Sequence, residues 1–118
     1  MKRLRAIIVA VIMLFSLVPD VQSAMLMEDY LKLKNAKPTE LFLIGWLDAI
    51  TWANVGRSGK KTTLFCPPDN LVLNVSNLRQ IIEEHYEKNK SMYNAAFRKE
   101  VYFGLVGLEA LRETFPCK

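Results

Sequence analysis

The chain reads as an all-α protein, a small bundle of about four helices held by one disulfide. Three observations predict this. Apolar residues recur at spacings of three and four through most of residues 24–118. No stretch alternates polar and apolar residues long enough to require a strand; Leu71-Val72-Leu73 is at most a short extended piece. Finally, the chain has two cysteines, Cys66 and Cys117, near the two ends of its second half.

The N-terminus predicts an exported protein. Met1-Lys2-Arg3-Leu4-Arg5 is a basic start, and Ala6 to Val18 is an apolar run broken only by Ser16. The run is too short to span a bilayer, which takes about 20 residues. Val21-Gln22-Ser23 then supplies an aliphatic and a small residue ahead of a cut before Ala24. Together these features read as a cleavable signal peptide over residues 1–23, with a single domain over 24–118. The full chain has a net charge of +4. The leader holds three of the 16 Lys/Arg and one of the 12 Asp/Glu, so the mature chain carries only +2. That removes the main argument for a nucleic-acid partner.

Ala24 to Asn35 predicts a short first helix with Leu26, Tyr30 and Leu33 on one face. Asn35-Ala36-Lys37-Pro38 stops it, and Thr39 is the expected cap of a second helix, with Glu40 in its first turn. Leu41 to Ala53 is apolar nearly all round, except for a narrow stripe of Gly45, Asp48 and Thr51. Such a helix must be covered on more than one side, as a central helix or against a second subunit. A homodimer is the expectation, with Gly45 and Ala49 allowing close approach of another helix. Asn54 to Thr63 is a basic, glycine-bearing loop. Its Gly-Arg-Ser-Gly-Lys-Lys lacks phosphate-loop spacing and follows no strand.

Cys66-Pro67-Pro68 makes a rigid extended turn. A third helix follows, capped by Asn74 or Ser76, with Val75, Leu78, Ile81, Ile82 and Tyr86 on its apolar face and Arg79, Glu83, Glu84 and Lys88 opposite. Lys88-Asn89-Lys90-Ser91 is expected to break it as a polar connector, with Asn94 capping the last helix. Phe97, Val101, Leu105, Leu108, Leu111 and Phe115 then share a face. Gly104 and Gly107 in mid-helix, each costing about 1 kcal/mol against Ala, predict a tight helix contact.

Chemistry is scarce. One histidine, His85, and two cysteines do not make a zinc site. Neither cysteine opens a helix that would activate it, and no Cys-x-x-Cys is present. A staple fits better: bonding Cys66 to Cys117 closes a ring of about 52 residues and contributes about 4 kcal/mol in the chain-entropy model. We therefore expect no catalytic residues, no metal and no cofactor, and a surface that binds a protein. The connector is the expected contact, through His85, Tyr86, Lys88, Asn89, Lys90, Ser91, Met92 and Tyr93, which combine aromatics, Met, amides and positive charge.

The stretch Leu108-Glu109-Ala110-Leu111-Arg112-Glu113-Thr114-Phe115-Pro116-Cys117, behind a Cys-Pro-Pro turn and a helix ending in Tyr86, resembles the Rap/Tai immunity family of type VI secretion systems. The family pattern Ala-Leu-x-x-x-Phe-Pro-Cys runs here from Ala110 to Cys117, and Gly45-Trp46-Leu47-Asp48-Ala49 is similar to a helix segment of the family. The resemblance covers about residues 41–117. The family's usual Cys-Leu-Pro is Cys-Pro-Pro here, and the connector is longer and lacks the common proline. The resemblance implies a periplasmic, helical homodimer that binds a peptidoglycan amidase toxin and occludes its active site, with no nucleic acid and no small-molecule substrate. The alternative class is a small periplasmic stress chaperone.

Overall fold

The computed structural model describes residues 24–55, 63–98 and 100–118. Residues 1–23, where a leader is expected, residues 56–62 of the basic loop and Lys99 lie outside the described residues. Four helices are present among the described residues and no strand: α1 (Met27–Leu33), α2 (Lys37–Val55), α3 (Val75–Phe97) and α4 (Phe103–Thr114). None of them is long and apolar enough to cross a membrane.

The expected elements form, with shifted ends. Helix α1 is shorter than the expected 24–35. Leu26 and Tyr102 make one antiparallel bridge. Its flanks are Met27 N–H donating to the Val101 carbonyl (2.7 Å) and Phe103 N–H donating to the Met25 carbonyl (2.9 Å). The residues before α1 are thus tied to the residues before α4. Met27 and Tyr30 are fully buried, whereas Leu33 is exposed. Helix α2 starts three residues earlier than a Thr39 cap would place it. The Ala36 carbonyl accepts from the N–H groups of Thr39 and Glu40. Pro38 sits in the first turn, where a missing N–H costs nothing and a fixed φ favours the helix. Thr39 is buried inside the helix.

Helix α3 opens on a reciprocal cap. Asn74 Oδ1 accepts from Asn77 N–H (3.0 Å), and Asn77 Oδ1 accepts from Asn74 N–H (2.8 Å). This satisfies two of the groups that a helix N-terminus leaves without partners. The predicted break at Lys88–Ser91 does not occur: α3 runs unbroken for 23 residues, and Asn94 lies inside it rather than capping a new helix. The reason is burial. Tyr86 and Tyr93 are 6% and 3% exposed, and they lie seven residues apart, two helical turns. Their shared face carries the helix across the polar residues between them. The chain turns instead at Arg98, whose φ is +56°. A bulky residue there stores strain of about 1–3 kcal/mol.

Phe103 is the hub of the core. Its ring lies 4.8 Å from that of Tyr30, 5.3 Å from Phe42 and 5.4 Å from Trp46, so α1, α2 and α4 meet on one side chain. The close contact expected of the α4 glycines is made at Gly107. A Cβ there would lie 2.7 Å from Trp46 Cη2 and 3.3 Å from Ile82 Cδ1, whereas one on Gly104 would stand 3.6 Å from Trp46 Nε1, an ordinary contact. Gly45 does not share this role, since a Cβ there would meet nothing within 4 Å.

Cys66 and Cys117 are bonded, with Cα atoms 5.0 Å apart and a sequence separation of 51. Beside the bridge, Cys66 N–H donates to the Phe115 carbonyl (2.8 Å). The last turn of α4 is therefore fixed to the extended stretch ahead of α3.

Two outcomes follow from this packing. Gly107→Val drives two methyl groups into the Trp46 ring and lowers unfolding stability by about 1–3 kcal/mol. Gly104→Ala is neutral or stabilises by up to about 1 kcal/mol through helix propensity. Urea titration of the two variants checks the contrast. The Cys66→Ser/Cys117→Ser double variant loses about 4 kcal/mol, and the oxidised protein shows no free thiol by alkylation and intact mass.

Candidate functional site

The eight residues from His85 to Tyr93 form no projecting loop; they lie along the middle of α3 and divide among its faces. Tyr93 and Tyr86 belong to the core, their rings stacked with centroids 6.1 Å apart. His85, Lys88 and Asn89 lie towards α4. Ser91 and Met92 are exposed. Lys90 bends back over the Tyr86 ring, its ammonium 5.8 Å from the centroid.

On the α4 side, a carboxylate, an imidazole and a phenol are in line. His85 Nδ1 is 2.6 Å from Glu113 Oε2, and His85 Nε2 is 2.8 Å from the Tyr93 hydroxyl. Lys88 Nζ donates to the other Glu113 oxygen at 2.6 Å. Lys88 and His85 hold the Glu113 carboxyl below the usual carboxylate range. A carboxylate accepts only, so in the neutral ring the proton sits on Nδ1, and Nε2 accepts from Tyr93. Burial, then the nearby Glu109 and Glu113, pushes the Tyr93 phenol up, so it keeps its proton.

The order of groups is that of a nucleophile, a base and an orienting acid. The phenol is nevertheless buried and harder to ionise than usual, which is the opposite of an activated nucleophile. The arrangement serves better as a polar tie between α3 and α4. A second tie holds α1. Tyr30 O–H donates to Glu83 Oε1 (2.8 Å), Lys34 donates to Glu83 Oε2 (2.9 Å), and Arg79 donates to the Lys34 carbonyl. The Tyr30 phenol is raised by burial first and by Glu83 second. Arg79 and Glu83, read from the sequence as part of the face opposite the apolar one, are thus partly covered by the end of α1. Among the described residues, no group of three or more His, Cys, Asp or Glu could hold a metal ion.

Two open surfaces stand out among the described residues. One is a groove of about 460 Å³ between α1, α3 and the residues before α4, lined by Glu28, Leu31, Lys32, Tyr86, Lys90, Asn94 and Val101. Sequence reasoning named Tyr86 and Lys90 but missed Asn94, which it had used as a helix cap; the spacing of 86, 90 and 94 was the available signal. It also missed Glu113, whose meeting with His85 is set by tertiary packing and leaves no local trace. The other surface is a stripe along α2. Leu41, Ile44, Trp52 and Val55 are all about half exposed or more, with Trp52 at 68%, and Asp48 lies among them. A run of large apolar side chains facing solvent marks an interaction surface.

Comparison of the chain with protein-family models, with curated proteins and with solved structures found no match in any of the three.

The Glu113 tie sets a pH dependence. Its carboxyl is lowered in the folded state, so its contribution is present above the unfolded carboxylate pKa of about 4.3 and is lost as pH falls through the lower folded value. Glu113→Gln therefore lowers the melting temperature at pH 7, and the gap to the wild type closes below about pH 4. Thermal melts of both proteins from pH 3 to 8 check it.

Proposed function

We propose that this chain is a non-catalytic immunity-type protein of the periplasm that binds a peptidoglycan amidase toxin and covers its active site. The observation that carries the reading is the C-terminal motif and what its residues do. Ala110 and Leu111 are fully buried in the core. The Phe115 N–H donates to the Leu111 carbonyl (2.9 Å), and the Phe115 carbonyl accepts from Cys66. Cys117 is bonded to Cys66. The residues that resemble the Rap/Tai immunity family are therefore the ones that close this fold. A structural disulfide also suits an oxidising compartment, and cleavage of residues 1–23 would deliver the chain there.

Since the middle of α3 is helical, the surface offered to a toxin is a helix face and its flanking groove, with Lys88, Lys90, Ser91 and Met92 outermost. The α2 stripe serves self-association into a homodimer, burying Ile44 and Trp52 against a second copy. The same stripe favours a second reading, a chaperone that holds unfolded clients on exposed apolar side chains.

Co-expression separates the two. The chain with its leader, expressed beside a secreted amidase encoded next to it, protects cells from lysis. Lys90→Glu/Met92→Glu, with its helical spectrum intact, weakens the purified complex at least about ten-fold, which is 1.4 kcal/mol. Ile44→Glu/Trp52→Glu converts dimer to monomer in sedimentation equilibrium. Unchanged protection by the first pair overturns the α3 contact. Broad suppression of aggregation of unrelated unfolded proteins, lost with the second pair, moves the function to the chaperone reading.

A further inference from the structure

Three core tyrosines differ in one respect. Tyr30 donates to Glu83, and the Tyr93 hydroxyl meets His85. Tyr86, only 6% exposed, makes no side-chain hydrogen bond among the described residues, and it lines the groove between α1 and α3. A buried tyrosine usually finds a partner for its hydroxyl. The Tyr86 ring is buried while its hydroxyl is left open to the groove, where a ligand oxygen can replace water as its partner.

The neighbours along α3 share this state. The Lys90 ammonium approaches Glu87 only to 3.6 Å and makes no hydrogen bond among the described residues; nor does the Asn94 side-chain amide. Residues 86, 90 and 94 are each four apart, so they stack on one face of the helix. Their donors recur about every 6 Å along its axis. In an extended peptide, alternate residues recur about every 6.7 Å. The two repeats match over two steps. The rest of the groove is apolar below, where Leu31 and Val101 lie, and is closed on the far side by the Lys32–Glu28 pair at 2.9 Å.

We infer that this groove binds an extended peptide segment in which an apolar side chain sits against Leu31 and Val101 and an adjacent carboxylate meets Lys90, with Tyr86 and Asn94 donating to the flanking peptide oxygens. An acid fits better than an amide or a base for a physical reason. The three donors on the α3 wall include one full positive charge without a hydrogen bond, and a charge-assisted hydrogen bond is about twice as strong as a neutral one. The facing Lys32–Glu28 pair is hydrogen-bonded at 2.9 Å, whereas Lys90 keeps only an exposed ion pair with Glu87 at 3.6 Å, weak enough for an incoming carboxylate to replace. This inference rests on reading the middle of α3 as the partner surface, and it supplies the chemistry a partner must present there: an apolar residue next to an Asp or Glu in extended backbone.

The test needs no toxin. The oxidised chain is titrated with acetyl-Ala-Leu-Asp-Ala-amide and with the matched Asn peptide, while backbone amide shifts are followed by NMR. The expected result is saturable shifts at residues 31–32, 86–94 and 101, with the Asp peptide bound about five-fold more tightly than the Asn peptide, a difference of about 1 kcal/mol. Tyr86→Phe keeps the ring and removes the hydroxyl, and Lys90→Met keeps the stem and removes the charge. The first weakens both peptides alike; the second abolishes the preference for Asp. No saturable shift at millimolar peptide, or equal binding of the two peptides, overturns the inference. A chain that protects against a toxin yet ignores both peptides overturns the groove alone. Groove binding by a chain that gives no protection leaves the groove standing and overturns the immunity reading.

Discussion

The meeting of three helices on the Phe103 ring is the contact on which the remainder of the structure depends. Phe103 opens α4, directly after the turn that brings the chain back from α3. Tyr30 reaches it from α1, and Phe42 and Trp46 reach it from α2. The tilted and edge-on ring geometries are those that aromatic quadrupoles favour. With that point set, Trp46 lies across Gly107, and only a residue without a Cβ fits beneath it. Tyr30, held from the other side by Glu83, brings α1 down on α3 and so forms one wall of the groove. A small domain with few apolar residues to bury concentrates its packing in this way.

Much of this was legible from the residues. The helical periods, the Asn74 cap, the Cys66–Cys117 bond and the close contact at Gly107 are all local or pairwise signals, and each is realised. The break placed at Lys88–Ser91 was misjudged because polarity was given more weight than period. Lys, Asn and Ser do not stop a helix whose buried face continues through Tyr86 and Tyr93. The turn at Arg98 has no comparable signal, because nothing in an arginine announces a positive φ. Gly45 was read, with Ala49, as a place where another helix could approach closely. Within the chain its surroundings are open, so no helix of the same bundle makes that approach.

The open surfaces were half legible. The apolar excess of α2 announced itself in composition, and the structure leaves that excess on a solvent-facing stripe. The groove was visible only as two of its residues, Tyr86 and Lys90, mixed with others that turn out to be core or to face α4. Side chains from α1 and from the residues before α4 complete it, and no spacing within α3 foretells them. The polar ties have the same origin: His85 and Glu113 are 28 residues apart and meet only because α3 and α4 pack side by side.

Asn54 has a role that reaches beyond its own helix. Its Oδ1 accepts from the N–H groups of Leu64 and Phe65, and its Nδ2 donates to the Phe65 carbonyl. One side-chain amide thus does for this short extended piece what a neighbouring strand would do, and it brings the chain back to within a turn of where α2 ends. The disulfide and the buried Phe65 ring secure the same point from the other side. The two flanks of the basic loop are therefore held to each other directly, by Asn54 on one side and by Leu64 and Phe65 on the other. In evolutionary terms Asn54 and the Leu64-Phe65 backbone are a constrained pair: any change in the sequence that joins them has to leave their meeting intact.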